Sequence, residues 1–304
     1  MDALTGDWLA YNTRVVLAGT AVLGVAGGVV GVFALLRKRA LVADVVGHAA
    51  LPGVGAAFLL TATAGGGRSE PALMLGAGAA GVLGAAAVSA VARFTRVKDD
   101  AAMAIVLGAF FGLGAALFRV VQQAGAGGAS GLNHLLFGKT ASMVAADVTL
   151  FAGLAAVTLA VAFALRRELA LLCFDPQFAA SIGRPVFLLD LALSGLIVAV
   201  AVVGMQSVGL ILVVATLVIP AAAARFWSDR LTAVLLTAGA FGGAAAVGGA
   251  SVSALGPKLA AGPLIVLCGT ALFAGSLLFG PSRGVLARAL RRRAVRADVR
   301  RGDA

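Results

Sequence analysis

Long apolar runs separated by short charged connections dominate the chain from end to end. An α-helix needs about 20 apolar residues to cross the hydrocarbon core of a membrane. Nine runs approach that length, at about 15–36, 41–63, 71–92, 101–121, 142–165, 186–203, 206–224, 231–251 and 264–280. The pattern therefore predicts an all-α polytopic membrane protein with about nine transmembrane helices. The weakest boundary is the uncharged gap at 204–206, where a single kinked helix would reduce the number to eight.

The composition excludes soluble and disordered proteins. Of the 304 residues, 61% are hydrophobic and 12% are charged, and the mean hydropathy is +1.04. A soluble domain is about 45–50% apolar and about 25% charged. Two cysteines are too few to hold a chain of this length together by disulfides. The 41 glycines predict close helix packing, with expected packing faces at the GxxxG pairs Gly27/Gly31, Gly108/Gly112 and Gly239/Gly243.

Lysine and arginine are unevenly distributed over the alternate connections between the segments. One set of connections, which includes the C-terminal tail, carries 19 of them, and the other set carries 5. Because cytoplasmic loops hold the excess of positive charge, the N-terminus is predicted outside and the C-terminus inside. The net charge of +11 follows this topology pattern, so no nucleic-acid partner is predicted.

The charge pattern also divides the chain into a transmembrane domain at 1–282 and a basic tail at 283–304, which contains eight arginines. The tail is predicted to be solvated in the cytoplasm. The alternative is a basic amphipathic stretch that lies on anionic membrane lipid.

One acidic and one imidazole side chain precede a proline in the second segment. Asp44 and His48 are four residues apart, so on a helix they share one face. A carboxylate in a membrane helix is costly unless it is paired or hydrated, which makes it a functional candidate. Carboxylate and imidazole together suit Zn²⁺, Mn²⁺ or Fe²⁺, and two ligands favour a transient site. The alternative is a helix-start carboxylate that is hydrogen-bonded to a structural histidine.

Two of the eight prolines lie inside apolar segments rather than at their ends. Pro52, which is followed by Gly53, and Pro220 each remove a backbone hydrogen bond, which predicts a helix break. One interrupted helix in each half of a transporter points to a transport pathway. A kink that serves only packing is the alternative.

No catalytic or nucleotide-binding motif is found in the sequence. It contains no H-E-x-x-H, C-x-x-C or G-x-S-x-G, and Gly138–Thr140 lacks the glycine that a phosphate loop requires five residues earlier. The protein is therefore not predicted to be an enzyme. His134 is expected to be a solvated loop residue, and Asp147 and Asp190 are expected to have mostly structural roles near segment ends.

The run RKRALVADVVGHAALPGVGAAFLL at 37–60 resembles the signature of the zinc, manganese and iron ABC-importer permeases. In that family a basic turn precedes an acidic residue, a histidine four residues later, and then LPG. Further resemblances keep the family's order and extend over roughly 15–280, in KDDAAMAIVLGAFFGLG, LNHLLFGKT, LCFDPQFAASIGRP and VVGMQSVGLILVVATLVIPAAAARFWSDR.

The resemblance implies a permease bundle in the bacterial inner membrane, with no permanently bound cofactor. Asp44 and His48 would hold the transported Mn²⁺, Zn²⁺ or Fe²⁺ transiently between two permease subunits. The stretch 174–183 would dock into the ATPase through Phe174, Asp175, Pro176, Gln177, Ala179 and Gly183. Many relatives carry glutamate in place of Gln177. The implied partners are cytoplasmic ABC ATPase subunits, an extracytoplasmic metal-binding protein, a second permease and membrane lipid.

Three other functions are weighed against metal import. A haem or siderophore permease would favour a wide cavity with aromatic or basic linings, whereas the chain has one tyrosine and two tryptophans, none in mid-segment. An ion-coupled secondary carrier would not explain the stretch 174–183. A membrane scaffold assembled through the GxxxG faces would leave Asp44, His48 and the two internal prolines without a role.

Overall fold

The computed structural model describes residues 11–39, 41–63, 70–123, 143–207, 209–256 and 259–289, and every regular element in these ranges is helical. Nine of the helices match the nine predicted segments: α1 (Tyr11–Leu36), α2 (Val42–Thr63), α3 (Glu70–Phe94), α4 (Asp99–Gln123), α5 (Ala145–Ala164), α8 (Val186–Ser207), α9 (Leu210–Ala224), α10 (Leu231–Ser253) and α11 (Ala261–Phe279). Two short helices, α6 (Arg166–Phe174) and α7 (Pro176–Ser181), lie between α5 and α8. The expectation of an all-α bundle is confirmed.

Eight of these helices are long and apolar enough to cross a membrane. Among the nine helices that match predicted segments, the exception is α9, which has 15 residues and therefore extends only about 22 Å. The boundary near 204–206 separates two helices rather than kinking one, because α8 ends at Ser207 and α9 begins at Leu210. Gly209 has a φ of +96°, a conformation that glycine adopts without steric cost. The chain therefore turns there, and α9 packs back on α8.

The helices form two groups, which are joined by α8 and by contacts between α9 and α2. The first group contains α2, α3 and α4, and the second contains α1, α9, α10 and α11, with α5 packed on α1. Helix α8 contacts α1, α2, α3, α5 and α9, so it lies between the groups. The largest fully buried side chains of the core include Phe33, Leu193, Ile197, Leu217 and Leu235.

Glycines bring α1 into backbone contact with its neighbours. A Cβ on Gly28 would overlap the carbonyl oxygen of Ala238 in α10, and one on Gly31 would overlap that of Leu217 in α9. Such close approach is what small residues provide in membrane bundles. The predicted pairs Gly27/Gly31 and Gly239/Gly243 both lie in these contacts. The face of α4 that carries Gly108 and Gly112 is exposed and has nothing within 4 Å in the described chain, so a packing role for this pair stays a prediction.

The residues that follow α11 fold back on the connection between α9 and α10. The backbone N–H groups of Ser282 and Arg283 donate to the carbonyl oxygen of Phe226, at 3.1 and 3.3 Å. Arg283 Nη2 lies 2.7 Å from Asp229 Oδ1. Hydrogen bonds from Ser282 and Arg283 lower the pKa of Asp229. The start of the predicted tail thus contacts the helical bundle, whereas residues 290–304 lie outside the described ranges.

Candidate metal site

Asp44 and His48 lie in the first two turns of α2 and face the same side. His48 Nε2 is 3.5 Å from Asp44 Oδ1. The side chains of His48 and Asp44 are 22% and 35% exposed, so both are reachable from outside the chain. The spacing of four residues therefore brings carboxylate and imidazole together as predicted, and both side chains stay partly exposed at the surface of the chain.

Helix α4 holds the imidazole of His48 in place. The ring of Phe111 packs edge-on against it, with the ring centroids 5.2 Å apart. His48 Nδ1 is buried and makes no hydrogen bond within the described chain. Nε2 is consequently the ring nitrogen that faces Asp44. Sequence analysis missed Phe111, because no local pattern connects two residues that lie on different helices.

Two side chains supply only part of a coordination shell. Among the described residues, no group of three or more His, Cys, Asp or Glu side chains could hold a metal ion. Structural Zn²⁺ sites are almost always four-coordinate, and Mn²⁺ prefers octahedral oxygen-rich sites. Asp44 and His48 can therefore contribute half of a site, which water or another chain has to complete. His134 and the stretch at 138–140 lie outside the described residues.

The helix breaks expected at Pro52 and Pro220 are not observed, because α2 and α9 stay helical through both residues. Pro52 has no N–H to donate to the carbonyl of His48, yet close packing keeps α2 in place. A Cβ on Gly114 of α4 would lie 3.1 Å from Pro52 Cδ. A Cβ on Gly53 would overlap the carbonyl oxygen of Gly76 in α3. These contacts favour a packing role for Pro52, and a role in the pathway stays a prediction.

Pro220 has different surroundings. It is buried, and it lines a small cavity between α1, α8, α9, α10 and α11 together with Thr20, Ser207 and Thr216. Thr20 and Thr216 are polar residues in the lining of this cavity, and both hydroxyls donate to carbonyls of their own helices. The residues that line this cavity include none of α2, and a role of Pro220 in the transport pathway stays a prediction.

The six residues singled out at 174–183 form a compact exposed segment. Asp175 Oδ1 accepts a hydrogen bond of 2.9 Å from the N–H of Phe178, and Pro176 occupies the first turn of α7. Gly183, at a φ of +78°, ends the helix with the reversed turn that glycine favours. Ala179 is buried, whereas Gln177 is exposed, and so are the aromatic rings of Phe174 (72%) and Phe178 (52%).

Cys173 precedes this segment and anchors α6 to α1. Its Sγ lies 3.6 Å from the carbonyl oxygen of Phe33, and burial raises the pKa of the thiol to about 12.

We expect Cys173 to resist alkylation, because only the thiolate reacts and a pKa of about 12 lowers its fraction at pH 8 roughly 1,000-fold. In a Cys268→Ser variant, maleimide labelling followed by mass spectrometry should be at least about 100-fold slower in the folded than in the denatured protein. Equal rates in the two states would contradict the burial of this thiol.

Known proteins are similar to this chain along nearly its whole length. Residues 10–280 match the ABC 3 transport family. The manganese transport system membrane protein MntC of Bacillus subtilis is 45% identical over 95% of this chain and 66% of its own length. The zinc transport system membrane protein TroC of Treponema pallidum is 40% identical over 97% of this chain and 98% of its own length.

A solved structure shares the fold as well as the sequence. PsaBC from Streptococcus pneumoniae, solved in complex with a Fab, superposes with a TM-score of 0.80 at 30% identity. The match covers 96% of this chain and 99% of that one.

Proposed function

The chain belongs to the ABC 3 transport family, and we propose that it is the permease subunit of an ATP-driven importer of divalent transition-metal ions. The proposed cargo is Mn²⁺, Zn²⁺ or Fe²⁺, in line with the manganese and zinc systems named for its relatives. The contribution of this chain is passage of the ion, and ATP hydrolysis takes place in a separate subunit.

The arrangement of Asp44 and His48 carries this proposal. An anionic oxygen and an imidazole nitrogen 3.5 Å apart are the ligand types that these ions accept. The pair is partly exposed and lacks further ligands within the described chain. A half-formed site binds weakly, and a transporter needs a site that releases its ion. The resemblance of residues 37–60 to the metal-importer permeases, in which an acidic residue precedes a histidine by four positions, supports this assignment.

A second permease completes the site in this proposal. The exposed face of α4 beside the metal pair includes the half-exposed Phe111 and also Gly108 and Gly112, and no other part of the described chain comes within 4 Å of a Cβ at either glycine. Small residues on an exposed face allow a helix of another subunit to approach closely. A partner packed there would bring its own ligands toward Asp44 and His48 and would shield the ion from lipid.

The segment 174–183 is the proposed docking site for the ATPase. It exposes two aromatic rings, that of Phe174 at the end of α6 and that of Phe178 in α7, and α7 is capped at both ends. Exposed aromatic side chains of this kind are frequent energetic centres of protein interfaces. With the N-terminus outside, the segment lies in the cytoplasm, and an extracytoplasmic metal-binding protein delivers the ion from the opposite side.

Replacing Phe178 with aspartate should weaken ATPase binding at least about 30-fold, which corresponds to the roughly 2 kcal/mol lost at an interface hot spot. The permease itself should stay folded, because the ring is half exposed. Co-purification of the ATPase with the permease from detergent measures the effect. Phe279→Asp is the control, since that ring is also exposed, at the end of α11 and outside the segment 174–183. Equal retention of the ATPase by both variants would contradict docking at this segment.

The function is tested by the metal content of cells that lack this chain. Mass spectrometry of Mn, Zn and Fe in a deletion strain should show one metal falling under metal limitation, with recovery when the wild-type chain is supplied. Uptake should require ATP and should survive collapse of the proton gradient. Uptake that depends on the gradient alone indicates a secondary carrier, and unchanged metals with lower haem or siderophore uptake indicate an organic cargo.

A further inference from the structure

A cluster of charged side chains lies where the connection between α1 and α2 meets α8. Arg37 Nε is 3.4 Å from Asp190 Oδ1, and Arg39 Nη1 pairs with Asp190 Oδ2. The hydroxyl of Ser89 in α3 donates to the same Oδ2 at 3.5 Å. Asp99, at the start of α4, lies 3.7 Å from Arg39 Nε. Four parts of the bundle therefore meet at one carboxylate and two guanidinium groups.

The backbone between the two arginines adopts an uncommon conformation. Lys38 has a φ of +58°, and it is the one non-glycine residue in the described ranges with a positive φ. Its N–H donates to Leu35 and that of Arg39 donates to Ala34, at 3.1 and 2.9 Å, which closes α1 with a reversed turn. Glycine is the usual residue at such a turn. Here the turn places Arg37 and Arg39 on the same side, where both reach Asp190.

Arg39 also sets where α2 begins. Its carbonyl oxygen accepts a hydrogen bond of 3.0 Å from the N–H of Val42, the first residue of α2. The N–H of Asp44 donates to the carbonyl oxygen of Leu41 at 3.1 Å in the same turn. Arg39 is therefore hydrogen-bonded to the first turn of α2, which carries Asp44.

Asp190 connects this cluster to the segment 174–183. It lies in the first turn or two of α8, seven residues beyond Gly183, which ends the segment. On the other side, Cys173 adjoins Phe174 and holds the carbonyl of Phe33, four residues before Arg37. The cluster is thus connected to the proposed ATPase docking segment through the start of α8 and to the proposed metal pair through the start of α2.

We propose that Asp190, held by Arg37 and Arg39, is a positioning residue that transmits movement of the segment 174–183 to Asp44 and His48. The part of this inference that concerns transport rests on the proposed function. A carboxylate whose two oxygens each pair with a different arginine is fixed in direction, and Arg39 is 8% exposed, so water does not screen the pair. A displacement of α8 therefore moves the start of α2.

The first test measures how firmly α2 is held, and it does not depend on transport. In lipid nanodiscs, Asp190→Asn should raise the hydrogen-exchange rates of the backbone amides at 42–45 at least tenfold. Asp229→Asn is the matched control, because it breaks an aspartate–arginine pair of the same kind that joins the α9–α10 connection to Arg283. Unchanged exchange at 42–45 in Asp190→Asn would overturn the proposal.

The second test measures coupling in proteoliposomes that contain the permease and its ATPase subunits. Asp190→Asn should lower the number of ions transported per ATP at least tenfold, and Asp190→Glu should recover most of it. A merely structural role would lower uptake and ATP hydrolysis together and leave their ratio unchanged, which would also overturn the proposal. If the wild-type complex shows no ATP-driven uptake, the proposed function fails, and hydrogen exchange still decides whether Asp190 positions α2.

Discussion

Replacing Asp44 or His48 with alanine should reduce metal uptake at least about 100-fold without removing the protein from the membrane. Loss of a residue that only supports a metal ligand costs about 10–100-fold in affinity, so loss of one of two ligands costs at least as much. Both side chains are partly exposed on α2, which is why folding should tolerate the change. Uptake of radioactive manganese or of zinc, normalised to membrane abundance, measures the effect.

Two further variants separate ligand chemistry from shape. Asp44→Asn keeps the size of the side chain but removes its charge, and it should be nearly as impaired as alanine, because a neutral amide is a poor ligand for these cations. Asp229→Ala serves as the control, since it removes an exposed carboxylate far along the chain that pairs with Arg283. Full uptake by both Asp44→Ala and His48→Ala would show that the ion binds elsewhere.

The second large effect is expected at a glycine in the core. Gly28→Val should destabilise the folded protein, because a Cβ at this position would overlap the backbone carbonyl of Ala238, and backbone atoms cannot move aside as a side chain can. Overpacking a core to this extent costs about 3 kcal/mol of folding stability. For a chain of this size that lowers the melting temperature by roughly 6–12 °C. Fluorescence-detected size-exclusion chromatography after heating measures it.

A valine at Gly153 is the matched control for this prediction. Gly153 also lies in the middle of a long helix, α5, but it is exposed and has nothing within 4 Å of the added Cβ. The Gly153→Val variant should melt within about 2 °C of the wild type. If both variants melt together, the close approach of α1 and α10 does not determine stability.

The sequence predicted best what depends on neighbouring residues. Nine apolar runs became nine helices, because hydrophobic length is a local property that a single segment carries by itself. The contact between Asp44 and His48 was also predictable, since a spacing of four residues on a helix brings two side chains together. Where prediction was wrong, as for the helix breaks at Pro52 and Pro220, packing by other helices overrode a local preference.

By itself, then, the sequence determined the helix content, the segment boundaries within a few residues and the pairing of one carboxylate with one imidazole. Tertiary structure alone decided that Phe111 packs on His48, that Gly108 and Gly112 stay uncovered, and that Asp190 meets Arg37 and Arg39. The reason is physical: about 150 residues separate Asp190 from these arginines, and no periodic pattern relates side chains on different helices. Such contacts exist only once all the helices have packed and have excluded water from the charges between them.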